Sequence, residues 1–517
     1  MRKMRIIPAL LLCLLLCGCG QTLALSGGEV SPGLEELSLV AEPEDLVLLD
    51  QMPNLRRLDL SGSRCYEEIL AWGQAHPTVE LRWTVQLPDG REIPNDETSL
   101  DLSALSGEQL RESAALLAYL PALERVELGG AREPALLRGF LEDAPALDCH
   151  YGLLLPWGTV AMDTEAISLP ELDSTGIPDL AEALPLLPAL RWVDLGEEAQ
   201  PIQPEYSWEK PEPVEQRLSW AEIASLQRLR PDVDFSYKFR LYDRDFSTLD
   251  ETMDLAHVEM DDQGEAVWER LPCMQHLKLL DMDSCGVDNE VMAAVRDQYP
   301  EVSVVWRVWF GDCYSARTDA IKILASNPGI GGVLMKGTYE NLRYFTKCKY
   351  LDVGHQLLLD DISFVSYMPD LEVCIVAMGC WSDATPLASC PHLEFLEIQT
   401  TNVADLTPLS GLKELRHLNI GYDFELHDIT PIMDLELERL WIGCLTPIPA
   451  EQVEEYRQRH PDCRINLEGT DPHYMWRWIG YDEEGNPVRD PRYDLLVEQF
   501  GYDREEYSFE WVEGRGW

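Results

Sequence analysis

Few groups of residues in this 517-residue chain combine the types and spacing that catalysis or metal binding requires. Residues 281–290, DMDSCGVDNE, have the acidic spacing of a calcium loop, but Met292 stands where such a loop needs a bidentate glutamate. Residues 329–334, GIGGVL, lack the third glycine of a phosphate-binding loop. We interpret the first stretch as a strand end followed by Asp288 capping a helix, and the second as a tight loop.

The sequence also lacks the motifs of common catalytic sites. It contains no His-Glu-x-x-His zinc motif, no Gly-x-Ser-x-Gly nucleophile turn and no Cys-x-x-Cys pair. Two of the ten histidines, His76 and His460, recur at the same place in a repeating pattern, which indicates a structural position. We therefore expect no enzyme, no cofactor and no metal site, and an exported hydrolase is the least favoured alternative.

Charge narrows the range of partners. The chain has 92 Asp and Glu residues against 41 Lys and Arg residues, a formal net charge of −51. So large an acidic excess repels the phosphates of nucleic acids and anionic lipid surfaces. We predict no nucleic-acid partner, whereas a protein ligand is expected and a carbohydrate ligand is left open.

The first twenty residues, MRKMRIIPALLLCLLLCGCG, have a basic start, a short apolar run and a small residue before Cys19. This layout is typical of an export signal, and the apolar run is shorter than the ~20 residues that span a bilayer. The segment ending at Cys19 resembles the lipobox of bacterial lipoproteins. The resemblance implies a signal peptide over residues 1–18, a lipidated Cys19 that anchors the protein to a membrane of the cell envelope or cell surface, and a short tether over residues 19–33. Ordinary secretion is the alternative.

The elements that would position any site follow a repeat of 22 residues. Four copies of one strand pattern, LEVCIV, LEFLEI, LRHLNI and LERLWI, begin at Leu371, Leu393, Leu415 and Leu437. The pattern resembles the leucine-rich repeat, most closely its internalin-like bacterial form. A unit this short cannot bury its apolar face alone. The resemblance therefore implies an α/β solenoid with a parallel sheet on the concave face and helices and irregular turns on the convex face.

One position of the regular repeats departs from this family. The family usually has an asparagine three residues after the strand, where its side chain bonds to the loop backbone. Thr401 and Asp423 occupy that position here. Both can supply a side-chain oxygen, so we expect the loop bond to be kept.

The preceding repeats follow a longer cycle. A Leu-x-x-Leu-x-Leu strand, such as LRRLDL from Leu55, precedes a helix with apolar residues three or four apart. A proline then ends the helix and an alternating strand follows, such as PTVELRW from Pro77. A third short strand, at residues 100–102 and again at 167–169, is predicted before the next cycle.

The chain after the tether therefore divides into three predicted regions. Residues 34–347 form irregular helix-backed repeats, and residues 348–467 form the regular repeats with a last helix and strand. Residues 468–517 are rich in aromatic side chains and include WRWIGYDEEGNPV from Trp476, an alternating stretch that predicts a β-hairpin. We predict a β-rich aromatic cap over the open end of the repeats, with a carbohydrate-stacking platform as the alternative.

The side chains between the leucines should point away from the core, because successive strand residues face opposite sides. In the regular repeats these outward positions place aromatic and aliphatic residues beside charged ones, as protein-binding surfaces do. The candidate partner-binding residues are Tyr350, Ile375, Phe395, Glu397, His417 and Trp441. Earlier repeats are more polar at these positions, as Arg57 and Asp59 illustrate, so the C-terminal half is favoured. The alternative is that the outward apolar residues pack against the C-terminal tail.

Together these features predict a lipid-anchored protein of the cell envelope that binds a partner, a protein in the first place, through its concave sheet. As the resemblance implies, such leucine-rich-repeat proteins serve adhesion or recognition. A non-catalytic scaffold that organises other envelope proteins is the alternative.

Overall fold

The computed structural model describes residues 22–200, 214–311, 314–326, 334, 336–443, 445–467, 476, 478–484 and 487–500. The predicted lipidation site Cys19 and most of the glycine-rich loop, residues 329–333, lie outside these residues. The chain forms two units, which divide between Arg240 and Leu241. The three regions proposed from repeat type are a different division and stay predictions.

Short strands and helices alternate along the first unit. Its strands are β1 (Leu23–Leu25), β2 (Gly28–Val30), β3 (Glu36–Ser38), β4 (Arg57–Asp59), β5 (Glu80–Arg82), β6 (Thr84–Gln86), β7 (Glu92–Pro94), β8 (Ser99–Asp101), β9 (Arg125–Arg132), β10 (Asp148–Leu155), β11 (Gly158–Ala161), β12 (Ala166–Ser168), β13 (Trp192–Glu197) and β14 (Asp234–Leu241). Its helices are α1 (Pro43–Leu49), α2 (Tyr66–Ala75), α3 (Gly107–Leu117), α4 (Pro134–Asp143), α5 (Ile177–Ala183) and α6 (Trp220–Leu229).

Three groups of parallel strands build the sheets of this unit, namely β3–β4–β5, β8–β9–β10 and β12–β13–β14. In the second group Leu100, Val126 and Cys149 pair in register, and all three side chains are buried. Each group contains the two strands of one predicted cycle, preceded by a short strand that comes before that cycle in the chain. Strands β8 and β12 confirm, within one residue, the short strands predicted at 100–102 and 167–169.

An antiparallel hairpin follows the third strand of the first two groups, which the repeat pattern did not predict. Strand β6 pairs with β7, and β10 runs past its parallel partner to pair with β11. The alternation continues beyond β5, where Trp83, Val85 and Leu87 are all buried. Gly90, with a φ of 90°, allows the reversal between β6 and β7.

Helix α3 illustrates why the return segments of this unit are helical. Its N-cap Ser106 and Gln109 form a capping box, which satisfies backbone donors of the first turn. Leu110, Ala114 and Leu117 follow at helical spacing and are buried. Helix α3 itself was not predicted, but the apolar stripe predicted for PALLRGFLEDA is confirmed in α4, where Leu136 and Phe140 are buried.

The second unit begins with similar cycles and continues into tighter ones. Its strands are β15 (Arg244–Ser247), β16 (Thr252–Asp254), β17 (Leu279–Asp281), β18 (Ser303–Val305), β19 (Arg307–Phe310), β20 (Tyr314–Arg317), β21 (Lys322–Leu324), β22 (Tyr350–Asp352), β23 (Val373–Ile375), β24 (Phe395–Glu397), β25 (His417–Asn419), β26 (Arg439–Trp441), β27 (Arg464–Asn466), β28 (Trp478–Tyr481) and β29 (Pro487–Arg489). Its helices are α7 (Glu265–Arg270), α8 (Asn289–Gln298), α9 (Ala450–Arg459) and α10 (Pro491–Phe500).

Strands β21 to β27 form one seven-stranded parallel sheet in chain order. The central residues that pair across it are Ile323, Leu351, Cys374, Leu396, Leu418, Leu440 and Ile465. Turns of 3-10 type return the chain between rungs, as at Thr385–Ser389 and Thr407–Gly411. The predicted 22-residue coil, with one short strand and a Thr-Pro-Leu return, is therefore confirmed.

The loop position that usually carries asparagine keeps its bonding role. The Thr401 backbone N–H donates to Asp423 Oδ1 at 2.7 Å, and the Thr401 hydroxyl donates to the Ile398 carbonyl at 2.9 Å. Asp423 thereby links its own loop to the preceding coil. Burial raises the pKa of this carboxyl to about 7, although the bonds from Thr401 act in the opposite direction.

The recurring histidines end two helices. His76 is the C-cap of α2, with Nδ1 3.0 Å from the Trp72 carbonyl oxygen and its ring stacked on Trp72. His460 is the C-cap of α9, with Nε2 2.8 Å from the Met433 carbonyl oxygen. The structural position predicted for both histidines is confirmed.

The acidic stretch around Asp281 ends a strand and precedes a helix, as predicted. Strand β17 ends at Asp281 and Asp288 is the N-cap residue of α8, although its side chain makes no capping bond. The carboxylates bind arginines of the following hairpin instead. Asp283 accepts from Arg307 Nε at 2.8 Å, and Asp281 accepts from Arg317 Nη1 at 2.9 Å.

Candidate functional site

Outward strand side chains form the candidate binding surfaces of both units. The open face is defined by exposed outward residues of the first unit, Glu36, Arg57, Glu80, Arg82, Arg125, Asp148, His150 and Trp192. The covered face is defined by the outward residues of β22 to β26, Tyr350, Asp352, Val373, Ile375, Phe395, Glu397, His417, Asn419, Arg439 and Trp441. The two faces occupy equivalent strand positions but differ in charge and burial.

The open face carries charged side chains in contact with one another. Arg57 Nη1 lies 2.8 Å from Glu36 Oε1, and Arg57 Nε lies 3.5 Å from Glu80 Oε2. All three side chains are more than half exposed, so water competes for these pairs and they contribute little to folding. Together with Asp59 and Arg82 they line a depression of about 520 Å³.

A second depression, of about 420 Å³, lies beside the β10–β11 hairpin. Glu127, His150 and Tyr151 are among its lining residues. Gly152 approaches the neighbouring strand so closely that a Cβ would lie 2.4 Å from the Gly130 carbonyl oxygen. Glycine is therefore required at this point of the depression.

Six outward aspartates have a structural role that the sequence interpretation missed. Asp101 Oδ1 accepts from the Ser103 N–H at 2.8 Å, and Asp194 Oδ1 accepts from the Gly196 N–H at 2.9 Å. Equivalent bonds form at Asp59, Asp254, Asp281 and Asp352. These carboxylates turn the chain at the end of each strand. The signal was an Asp in the last strand position of repeat after repeat.

The six candidate residues of the second unit do lie on the outward side of the sheet, but they are not free to meet a partner. The exposed fraction is 1% for Glu397 and Trp441, 2% for Phe395, 3% for Ile375 and 6% for His417. Tyr350 is half-buried. The prediction of an accessible surface at these residues is wrong, because the C-terminal segment covers them. Packing against the tail, the alternative left open, is what the structure contains.

Aromatic and aliphatic side chains of the tail form the apolar part of this cover. Trp476, Leu496 and Phe500 join Val373, Ile375, Phe395 and Trp441 in one buried cluster. The Trp476 ring lies 5.6 Å from that of Phe395 and 6.3 Å from that of Trp441, and the Phe500 ring meets Tyr350 edge-on at 6.5 Å. Such an apolar patch is costly to leave in water, which accounts for its being covered.

Three polar contacts fix the position of the cover. Trp476 Nε1 donates to Glu397 Oε1 at 2.7 Å, and Arg439 Nη1 donates to Asp490 Oδ2 at 2.9 Å. Arg492 Nη2 bonds to Glu394 Oε2 at 2.7 Å. Burial lowers the pKa of Arg439, which the Asp490 carboxylate partly offsets. Charge on the sheet is thus matched by charge on the tail.

The predicted aromatic cap differs from the observed tail in two ways. The β28–β29 hairpin forms, but helix α10 follows it and was not predicted. The contacts of the described tail residues lie on the outward sheet face, whereas the prediction placed the cap at the open end of the repeats. Trp476 is buried there, which removes it from a carbohydrate-stacking platform.

Neither a metal centre nor a membrane-spanning helix is present in the described ranges. No group of three or more His, Cys, Asp or Glu side chains among them is placed to hold a metal ion. No helix there combines the length and apolar character that crossing a bilayer needs.

Comparison with known proteins returns similar folds. No protein-family model and no curated protein matches the chain. It is similar to an internalin (inlF) of Listeria monocytogenes, with 15% identity over 70% of this chain and 84% of that one and a TM-score of 0.26. It is also similar to a leucine-rich-repeat protein of Leptospira interrogans, with 14% identity over 84% of this chain and 93% of that one and a TM-score of 0.26. The leucine-rich-repeat fold is seen in the chain's own strand ladder, in which β21 to β27 pair in chain order.

Proposed function

We propose that this is a leucine-rich-repeat protein of the cell envelope that binds a protein partner through its open face, in adhesion or recognition. The observation that carries the proposal is the contrast in exposure between the faces. The residues of the open face are solvent-exposed and chemically varied, whereas those of the covered face lie beneath the C-terminal segment. We propose a role in binding and not in catalysis.

The composition of the open face suits a protein ligand. Arg125 and Trp192, residue types that dominate binding energy at protein interfaces, stand in outward positions of neighbouring strand groups. Trp192 is 37% exposed, a large aromatic surface in contact with water. Carboxylates alternate with these residues, and the net charge of −51 disfavours nucleic acid. A protein surface with mixed charge, basic residues included, would match this pattern.

A two-step experiment tests this site. The unlipidated chain is used to capture partners from host and bacterial extracts, and the affinity of each captured protein is then measured with purified variants. We expect Trp192→Ala combined with Arg125→Ala to weaken binding about ten-fold or more. The matched control is Leu229→Ala with Arg111→Ala, which removes an exposed apolar side chain from α6 and an exposed arginine from α3. Equal affinity of both double variants would refute the open face as the site.

Anchoring is the second part of the proposal and rests on the leader sequence. We propose that Cys19 carries the lipid that holds the protein at a membrane. Cys19→Ala should release the protein into the medium or leave it unprocessed, measured by fractionation and by the mass of the mature chain. Membrane retention and processing identical to the wild type would contradict it. The result is independent of the open-face test.

A further inference from the structure

We propose that the covered face is a peptide-binding surface and that the chain's own tail is its intramolecular ligand. The C-terminal cover is defined as Trp476, Asp490 and helix α10. An external segment of the same chemistry, an acidic residue followed by an amphipathic helix with aromatic and aliphatic anchors, would compete for the same surface. This goes beyond the proposed function, which uses the other unit.

The inward and outward sides of β22 to β26 bury different types of residue, which distinguishes the covered face from the hydrophobic core. The inward column of β22 to β26 is apolar and fully buried, as Leu396, Leu418 and Leu440 illustrate. The outward side buries Glu397, His417 and Arg439 among its aromatics. Buried charges are costly unless each is paired, so a core built only for stability does not need them. Aromatic residues mixed with arginine are typical of surfaces that meet a separate partner.

Helix α10 has the form of a docked ligand. Leu496, Val497 and Phe500 are buried at helical spacing, while Leu495 is 48% exposed. One stripe of the helix therefore meets the sheet and the other faces solvent. Recognition of a helix by a groove uses anchors spaced in this way.

Polar contacts give the surface selectivity for such a segment. Asp490 precedes α10 and pairs with Arg439, so the sheet selects an acidic residue just before the helix. Arg492 in the first turn pairs with Glu394. Among the described residues His417 Nδ1 has no hydrogen-bond partner, a donor or acceptor that water would satisfy when the cover is away. These contacts fix the position of the helix on the sheet, and they suit an interface from which the cover can separate.

Competition in trans tests the inference with the full mature chain. The probe is a fluorescent peptide with the sequence of residues 487–500. The wild-type chain should bind it weakly because its own helix holds the site. Leu496→Ala with Phe500→Ala weakens the chain's helix but leaves the sheet intact, and should strengthen peptide binding about ten-fold. Leu495→Ala, on the exposed side of the same helix, should behave as the wild type.

The peptide itself supplies the specificity control. A peptide with Asp490→Arg should lose binding to the double variant, because it places a cation against Arg439. Failure of the double variant to bind the unmodified peptide, with its circular dichroism preserved, would overturn the inference. So would equal binding of both peptides.

Hydrogen exchange on the wild-type chain tests the inference even if the double variant does not fold. If the cover opens by itself, amides of α10 exchange well before those of β23 to β25 under native conditions. Exchange of helix and strands together, with the same protection, would overturn the inference, because the tail would then be part of one cooperative core.

Discussion

The open face and the covered face use the same strand geometry for opposite purposes. In the first unit Arg57 pairs across neighbouring strands with glutamates and stays in water. In the second unit Phe395 and Ile375 stand at equivalent positions and lie beneath the tail. The repeat therefore fixes which side of the sheet a residue faces, whereas the residue types decide whether that side is solvated or covered.

Replacing one aromatic residue on each face should change the stability of the chain by very different amounts. Phe395→Ala should destabilise the chain by about 4 kcal/mol, because it removes a buried ring between sheet and cover. Trp192→Ala should change stability by less than about 1 kcal/mol, since that ring is partly in water already. Urea unfolding followed by circular dichroism measures both. Similar losses for the two variants would mean that the faces do not differ as described.

Charge gives the second comparison. Arg439→Ala leaves Asp490 buried without its ion pair, and should cost about 3 kcal/mol. Arg57→Ala breaks two exposed pairs, and should cost less than about 1 kcal/mol. The melting temperature of each variant, at low and high salt, gives the comparison. A small effect for Arg439→Ala would indicate that water reaches this pair freely.

The third comparison concerns carboxylates and pH. Burial raises the pKa of Asp423 to about 7, so the folded state binds a proton that the unfolded state releases, and stability falls as pH rises from about 4 to 7. Asp423→Asn should therefore stabilise the chain by on the order of 2 kcal/mol above pH 7, with a smaller gain as pH falls toward 4. Urea unfolding at pH 5 and pH 8 tests this. A gain that is equal at both values would contradict it.

An exposed strand-end carboxylate of the first unit, Asp101, should behave in the opposite way. The bond from Ser103 lowers the pKa of Asp101, so its contribution to stability is present above the unfolded value and is lost as pH falls. Asp101→Asn should cause a small loss at pH 8 that shrinks in acid. A loss that grows in acid would show that this turn bond is not ionic.

Repeat spacing and alternation predicted much of the fold from the sequence. The copies beginning at Leu371, Leu393, Leu415 and Leu437 each contain one strand of the observed sheet. The outward orientation of Phe395 also followed from alternation. Local pattern decides these features, which is why they could be read from the chain.

Burial of the candidate site could not be predicted in the same way. The bond between Trp476 and Glu397 joins residues 79 positions apart, and no local periodicity encodes it. Helix α10 did leave a signal, since Tyr493, Leu496, Val497 and Phe500 have helical spacing. The interpretation of the tail as strand and cap passed over that spacing. The strand-end aspartates were interpreted only as polar outward residues, although their recurrence at one position pointed to a turn.

Tryptophan oxidation distinguishes an open outward face from a covered one. Hydroxyl-radical labelling of the intact chain, read out by mass spectrometry, compares side chains of identical chemistry. Trp192, which is 37% exposed, should be oxidised much faster than Trp441 and Trp476, which are 1% and 4% exposed. Oxidation of Trp441 and Trp476 as fast as Trp192 would contradict the account.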